Sequence, residues 1–267
     1  MNSELSGKVA LVTGGNSGIS LDLAVRLLEL GCSVLVADIA FDQETPILDC
    51  ESWTPPRLIF KRTDVTDARQ LEAAFEIAIR AFGRLDIVCP AAGLSRSVRI
   101  LKRSSDLCSS RIIMLTATGK PIRSSHHGVL RPDSNDLLLR DFQARLSHPI
   151  QCTQIAIDWF LRLGPRSSLG TVVIPSRSDP QESNSSISLF AAADAGIRSF
   201  VESMSTLGTC GIRVSAVSYS RARPSKRGSR QGAQCCVQPM RAVRVLDAMA
   251  AAITRPELPA GNIVEVF

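Results

Sequence analysis

Residues 8–20 read Lys-Val-Ala-Leu-Val-Thr-Gly-Gly-Asn-Ser-Gly-Ile-Ser, and Asp38 closes a second apolar run twenty residues after Gly18. Val9–Val12 is an apolar strand. Gly18–Leu30 places Ile19, Leu23, Leu27 and Leu30 on one helical face, Gly31 ends that helix, and Val34–Ala37 is a second buried strand. A glycine turn between strand and helix lets backbone N–H groups approach a ligand closely, and the helix N-terminus adds unpaired donors and partial positive charge. A carboxylate about 20 residues further on accepts both hydroxyls of an unphosphorylated ribose. The segment therefore predicts a dinucleotide site. It favours NAD over NADP, because no arginine sits in the turn to take a 2′-phosphate.

The spacing Thr13-Gly14-x-x-x-Gly18-Ile19-x resembles the short-chain dehydrogenase/reductase family, whose members end the motif in glycine where this chain has Ser20. The resemblance implies that Thr13, Gly14, Ser17, Gly18, Ile19 and Asp38 hold the cofactor. It further implies that Asp64 and Val65, after the strand Leu58–Lys61, line the adenine. Pro90-Ala91-Ala92-Gly93 stands where the family has Asn-Asn-Ala-Gly, so Ala92 and Gly93 are expected to touch the cofactor through their backbone. Asp67 reads instead as a helix N-cap. No metal ligand set is expected. The irregular spacing of His126, His127, Asp133 and Asp136 does not suit a metal site.

Asp67–Phe82 is amphipathic, with Leu71, Ala74, Phe75, Ala78, Ile79 and Phe82 on one side, and a fourth strand runs through Ile87-Val88-Cys89. Between residues 94 and 143 the periodicity collapses into a Ser- and Arg-rich stretch that departs from both neighbours. A structureless segment of that length is uncommon inside a compact domain. Regular patterning resumes with a helix over Leu146–Leu163, a strand over Gly170–Ser176, a helix over Ile187–Leu207, a strand over Gly211–Val217, a helix over Met240–Ile253 and a last strand at the C-terminal end. Strands separated by helices imply a parallel sheet covered on both faces. The expected fold is α/β: a single doubly wound Rossmann domain over residues 1–267, with a central parallel sheet of about seven strands.

Composition narrows the partners. The net charge of +6 resides in residues 95–131, with eight Lys or Arg against Asp106, and residues 221–244, with seven against no acid; removing these, +7 each, leaves the rest of the chain at −8. The first stretch contains no Phe, Trp or Tyr on which a base can stack, so nucleic acid is not the expected partner. No apolar run is long enough to span a membrane, and the N-terminus lacks an export pattern. The eight cysteines include no Cys-x-x-Cys pair, which suits reduced thiols in the cytoplasm. A small-molecule substrate is expected. The resemblance adds a homo-oligomer formed through the helices near 146–163 and 187–207.

Catalysis in the family uses a tyrosine that exchanges a proton with the substrate oxygen and a lysine one helical turn later that lowers the phenol pKa. The corresponding positions are Phe190 and Asp194. Ser176 or Arg177 stands at the family's serine, and Arg145 replaces its asparagine. The chain's one tyrosine, Tyr219, is followed four residues later by Arg223, so Tyr-x-x-x-Lys occurs nowhere. Ser176 is thus the remaining catalytic candidate, and ordinary alcohol or ketone turnover is expected to be severely impaired. Three classes follow: an NAD(P)-dependent oxidoreductase with a degenerate site, a cofactor binder without turnover, or a poorly folded inactive product. By resemblance, degenerate members of natural-product pathways point to imine reduction or ring closure, where a cationic iminium carbon needs no acid and Asp194 or Asp158 would stabilise the charge.

Overall fold

The computed structural model describes residues 5–16, 18–40, 57–93, 98–101, 113–116, 121–122, 139–140, 142–164, 170–177, 189–219, 239–255 and 257–266. Its first half alternates as the apolar periodicity predicts. Strand β1 (Val9–Thr13) leads through the glycine turn to α1 (Gly18–Glu29), then β2 (Ser33–Asp38), β3 (Leu58–Arg62), α2 (Ala68–Phe82) and β4 (Ile87–Pro90). Three short strands follow, β5 (Val98–Leu101), β6 (Ile113–Thr116) and β7 (Pro121–Ile122), which pair antiparallel as a separate small sheet. Backbone pairing thus occurs in a stretch where side-chain periodicity predicts none. His126, His127, Asp133 and Asp136 lie outside the described residues.

A π-helical turn, Gln143–Ser147, runs into α3 (His148–Leu163); β8 (Thr171–Arg177), α4 (Leu189–Ser203), a 3₁₀ turn (Met204–Cys210), β9 (Arg213–Tyr219), α5 (Pro239–Thr254) and β10 (Asn262–Val266) complete the order. The main sheet has seven strands in the order β3-β2-β1-β4-β8-β9-β10, and every pairing in it is parallel. This is the doubly wound α/β architecture expected from the sequence.

Alternate strand residues feed two cores, as the two-residue period of a strand requires. Ala10, Val12, Val34, Val36, Cys89, Val173 and Val217 pack under α1 and α5. Val9, Leu11, Leu35, Val88, Val172, Ile174 and Val214 pack under α2, α3 and α4. Burial on both faces explains why the strands are nearly continuous aliphatic runs. The chain builds outward through β2 and β3 and then crosses back to β4 on the other side of β1. The carboxyl ends of β1 and β4 therefore border the crevice where doubly wound sheets take ligands.

The opposite end of these strands is tied by charge. Asp86, 1% exposed, accepts from the Val9 amide at 2.9 Å and from Arg84 Nε and Nη2 at 2.8 and 2.6 Å. These bonds raise the Arg84 pKa. Arg213 in β9 caps α5, donating to the carbonyls of Ala252, Ile253 and Arg255. Desolvation lowers its pKa.

At the start of α2, Asp67 is the N-cap. Its carboxylate accepts from the Arg69 and Gln70 amides, and Gln70 Nε2 reaches back to it at 3.0 Å. Those bonds, led by the Gln70 side chain, lower the Asp67 pKa. Asp67→Ala is expected to lower the melting temperature by roughly 2–4 °C, read by circular dichroism. Among the described residues no helix is long and apolar enough to cross a membrane.

Candidate functional site

β1 ends at Thr13, and the backbone turns at Gly14, whose φ is +69°. A Cβ on Gly14 would lie 2.6 Å from the Ala92 Cα, so only glycine lets the turn pass this close to the end of β4. One on Gly15 would meet the Val36 side chain at 2.7 Å. Gly18, also at positive φ, opens α1 with nothing within 4 Å of its would-be Cβ. The turn is thus packed on its inner side and open at the helix start, a cradle that leaves room for an anion beside the helix N-terminus. Ile19 follows, half-buried against the α1 side of the core. Ser17 lies outside the described residues.

Asp38, at the carboxyl end of β2, sits over this turn. Its Oδ2 accepts from the Asn16 amide at 3.0 Å and its Oδ1 from the Ala40 amide at 3.1 Å. A carboxylate has about four acceptor positions, so both oxygens retain capacity for further donors. Ile39 beside it is 56% exposed. It is an apolar neighbour of the carboxylate that sequence reading passed over because it follows the buried run. Asp64 is half-buried and accepts from the Thr66 amide and hydroxyl through Oδ1, in a local turn, while Val65 is buried. Thr63 N–H donates to the Asp38 carbonyl, which places this segment beside the end of β2.

The rim on the β4 side is held from two elements. Thr13 Oγ1 accepts from the Ala91 amide at 3.0 Å and the Ala92 amide at 3.2 Å. Ser20, the residue that departs from the family's glycine, is buried in α1 and donates to the Ala91 carbonyl at 3.4 Å. Gly93, at φ +86°, packs so tightly that a Cβ would lie 2.8 Å from the Ala144 carbonyl oxygen. Thr13, Gly14, Ala92 and Gly93 thus meet at the carboxyl ends of β1 and β4, Asp38 is bonded to the turn that leads to Gly18, and Asp64 and Val65 follow β3 beside the end of β2.

Ser176, 2% exposed near the end of β8, donates to Asp194 Oδ1 on α4 at 3.4 Å. Ser176 and Asp194, which the resemblance sets against the family's serine and lysine, are thus in contact, and the second carries a carboxylate. Phe190 belongs to α4, one turn before Asp194. Arg145 falls in the π-helical turn and is buried. Tyr219, beyond the Gly211–Val217 strand expected from the sequence, is the last residue of β9 and packs in the core with Val245 and Met249. Burial raises the thiol pKa of Cys32 to about 12, and raises those of Cys89 and Cys152 as well, so these three are inert core thiols. Among the described residues no group of three His, Cys, Asp or Glu is placed to hold a metal ion.

Residues 8–120 match the family model described as short chain dehydrogenase. The uncharacterized oxidoreductase DltE of Bacillus subtilis is 31% identical over 104 residues, 39% of this chain and 40% of that protein. The chain thus spans about two fifths of that relative's length. Cis-4-hydroxycyclohexanecarboxylate dehydrogenase of Sinomonas cyclohexanicum is 28% identical over 218 residues, 81% of this chain and 74% of that protein. In fold, a short chain dehydrogenase from Burkholderia cenocepacia J2315, solved in complex with NADP, superposes with a TM-score of 0.66 at 20% identity, covering 98% of this chain and 97% of that one.

Proposed function

Because the chain belongs to the short-chain dehydrogenase/reductase family, we propose that it binds a nicotinamide dinucleotide in the crevice between β1 and β4 and acts as an oxidoreductase without a phenol proton donor. One observation carries the first part. The Asp38 carboxylate is bonded to the backbone of the same glycine turn whose helix start is open, so ribose and phosphate recognition are one cradle apart. On this reading Asp38 accepts the ribose hydroxyls and favours NAD, since the same carboxylate would repel a 2′-phosphate. Thr13, Gly14, Ser17, Gly18 and Ile19 form the phosphate side. Asp64 and Val65 line the adenine, and Ala92 and Gly93 border the ring beyond. The chain acts as one domain.

A bound nicotinamide supplies or takes a hydride. The chain's own groups must then provide the rest. Phe190 has no proton to give, and the Ser176 hydroxyl donates to Asp194, so it must leave that bond before it can donate to a substrate oxygen. A carboxylate at residue 194 also removes the positive charge that lowers a phenol pKa in the family. These features disfavour reduction of ordinary ketones. They suit a substrate that is itself cationic, such as an iminium intermediate of natural-product assembly, whose charge Asp194 stabilises and which needs no acid. Binding without turnover is the second reading, favoured by the same Ser176–Asp194 contact. It predicts no NADH consumption across carbonyl and imine panels.

Fluorescence titration of the full-length protein with NADH and NADPH tests the cofactor assignment. NADH is expected to bind more tightly, and Asp38→Ala to weaken it about tenfold while narrowing the gap between the two. Binding of neither nucleotide by folded protein would overturn the proposal.

A further inference from the structure

The family motif accounts for Thr13 and Gly14 but not for His148, a fully buried titratable group at the first turn of α3. Its Nε2 lies 3.1 Å from Thr13 Oγ1, and its Nδ1 lies 3.3 Å from the Ala144 carbonyl. The two contacts fix the tautomer. A carbonyl only accepts, so Nδ1 carries the proton and Nε2 presents its lone pair. Thr13 Oγ1 accepts from two amides, which leaves its hydroxyl hydrogen to be donated to Nε2.

We propose that His148 is a positioning residue: by accepting the Thr13 hydroxyl proton it locks the Thr13 rotamer that holds the Ala91–Gly93 rim of the crevice. The Ala144 carbonyl that orients the imidazole is the same group against which Gly93 is packed. The start of α3, the end of β1 and the rim of β4 are therefore one hydrogen-bonded unit. Without the imidazole acceptor, the Thr13 hydroxyl turns to seek another partner and its lone pairs leave the Ala91 and Ala92 amides. The Ala91 amide is then a buried donor without an acceptor, the half-buried Ala92 amide loses its partner too, and the rim shifts to recover one. The role of this rim in holding a dinucleotide rests on the function proposed above; the bonding unit itself does not.

The test uses the full-length protein and two independent readouts. In nitrogen NMR of the wild type, His148 is expected to show a protonated Nδ1 and a bare Nε2. His148→Phe is expected to speed hydrogen exchange of the Ala91 and Ala92 amides about tenfold while leaving that of Val173 unchanged. His148→Gln, which keeps an acceptor, is expected to restore most of the protection. NADH affinity is expected to fall about tenfold in His148→Phe and to show no further loss when that change is added to Thr13→Val, since both act through one hydroxyl. Unchanged exchange at Ala91 and Ala92 in His148→Phe, or additive losses of affinity, would overturn the proposal. So would a proton on wild-type Nε2, which decides the matter even if His148→Phe does not fold. If the wild type binds neither nucleotide, the dinucleotide reading fails alone, and the exchange and tautomer results still decide the positioning role.

Discussion

Asp86→Ala is expected to lower the unfolding free energy by about 3 kcal/mol, and the melting temperature by roughly 10 °C, with Asp86→Asn about half as damaging. The carboxylate is 1% exposed and joins Arg84 to the Val9 amide at the amino ends of β1 and β4. Removing it strands two donors of different kinds. Arg84, with a side chain 36% exposed, regains water, so its charge is not left buried. The Val9 amide cannot, because Val9 is 3% exposed and its neighbours are sheet backbone. Asparagine keeps one oxygen for that amide and loses the charge-assisted pair. Urea denaturation of the three proteins at neutral pH ranks them. Equal midpoints would show that water reaches this end of the sheet.

Acid is expected to weaken the fold through His148. Burial lowers its folded-state pKa to about 4, against roughly 6.5 in the unfolded chain. Between these values the unfolded chain holds a proton that the folded protein does not, so stability falls as the medium becomes more acidic. The contribution is fully present above about pH 6.5 and is lost progressively toward pH 4, amounting to about 3 kcal/mol. Carboxylates titrate over part of the same range, so the difference between wild type and His148→Phe isolates the imidazole. Unfolding free energies from urea titrations at pH 7 and pH 4.5 should converge for the two proteins as pH falls. A constant gap would mean that His148 titrates with the same pKa in the folded and the unfolded protein.

The cradle was legible because its parts are neighbours along the chain. Gly14 and Gly18 lie within one turn, and Asp38 ends the very next strand, so local spacing alone places the carboxylate beside the turn. The Asp67 cap was legible for the same reason, since it bonds amides two and three residues away. Asp86, Ser20 and His148 were not. Their decisive partners lie 77, 71 and 135 residues distant in the chain. His148 in particular reads as an ordinary residue at a helix start, next to Pro149, with no spacing that links it to Thr13. Tyr219 shows the same limit in the other direction: its position after an apolar run suggests a loop, but pairing with Val266 on β10 extends the strand to include it.

Strand, turn and helix follow from forces that act over a few residues: steric limits on φ and ψ, apolar periodicity and the freedom of glycine. Those forces set where β1 turns and which face of α2 is buried, and they do so in the unfolded chain's own order. Which hydroxyl meets which imidazole, and which amide meets which carboxylate, depended on β4 returning to the far side of β1. That crossing brings the Ala91 amide and the His148 ring to 3.0 and 3.1 Å from Thr13 Oγ1, and no local pattern encodes it, because the favourable energy appears only once the sheet has assembled.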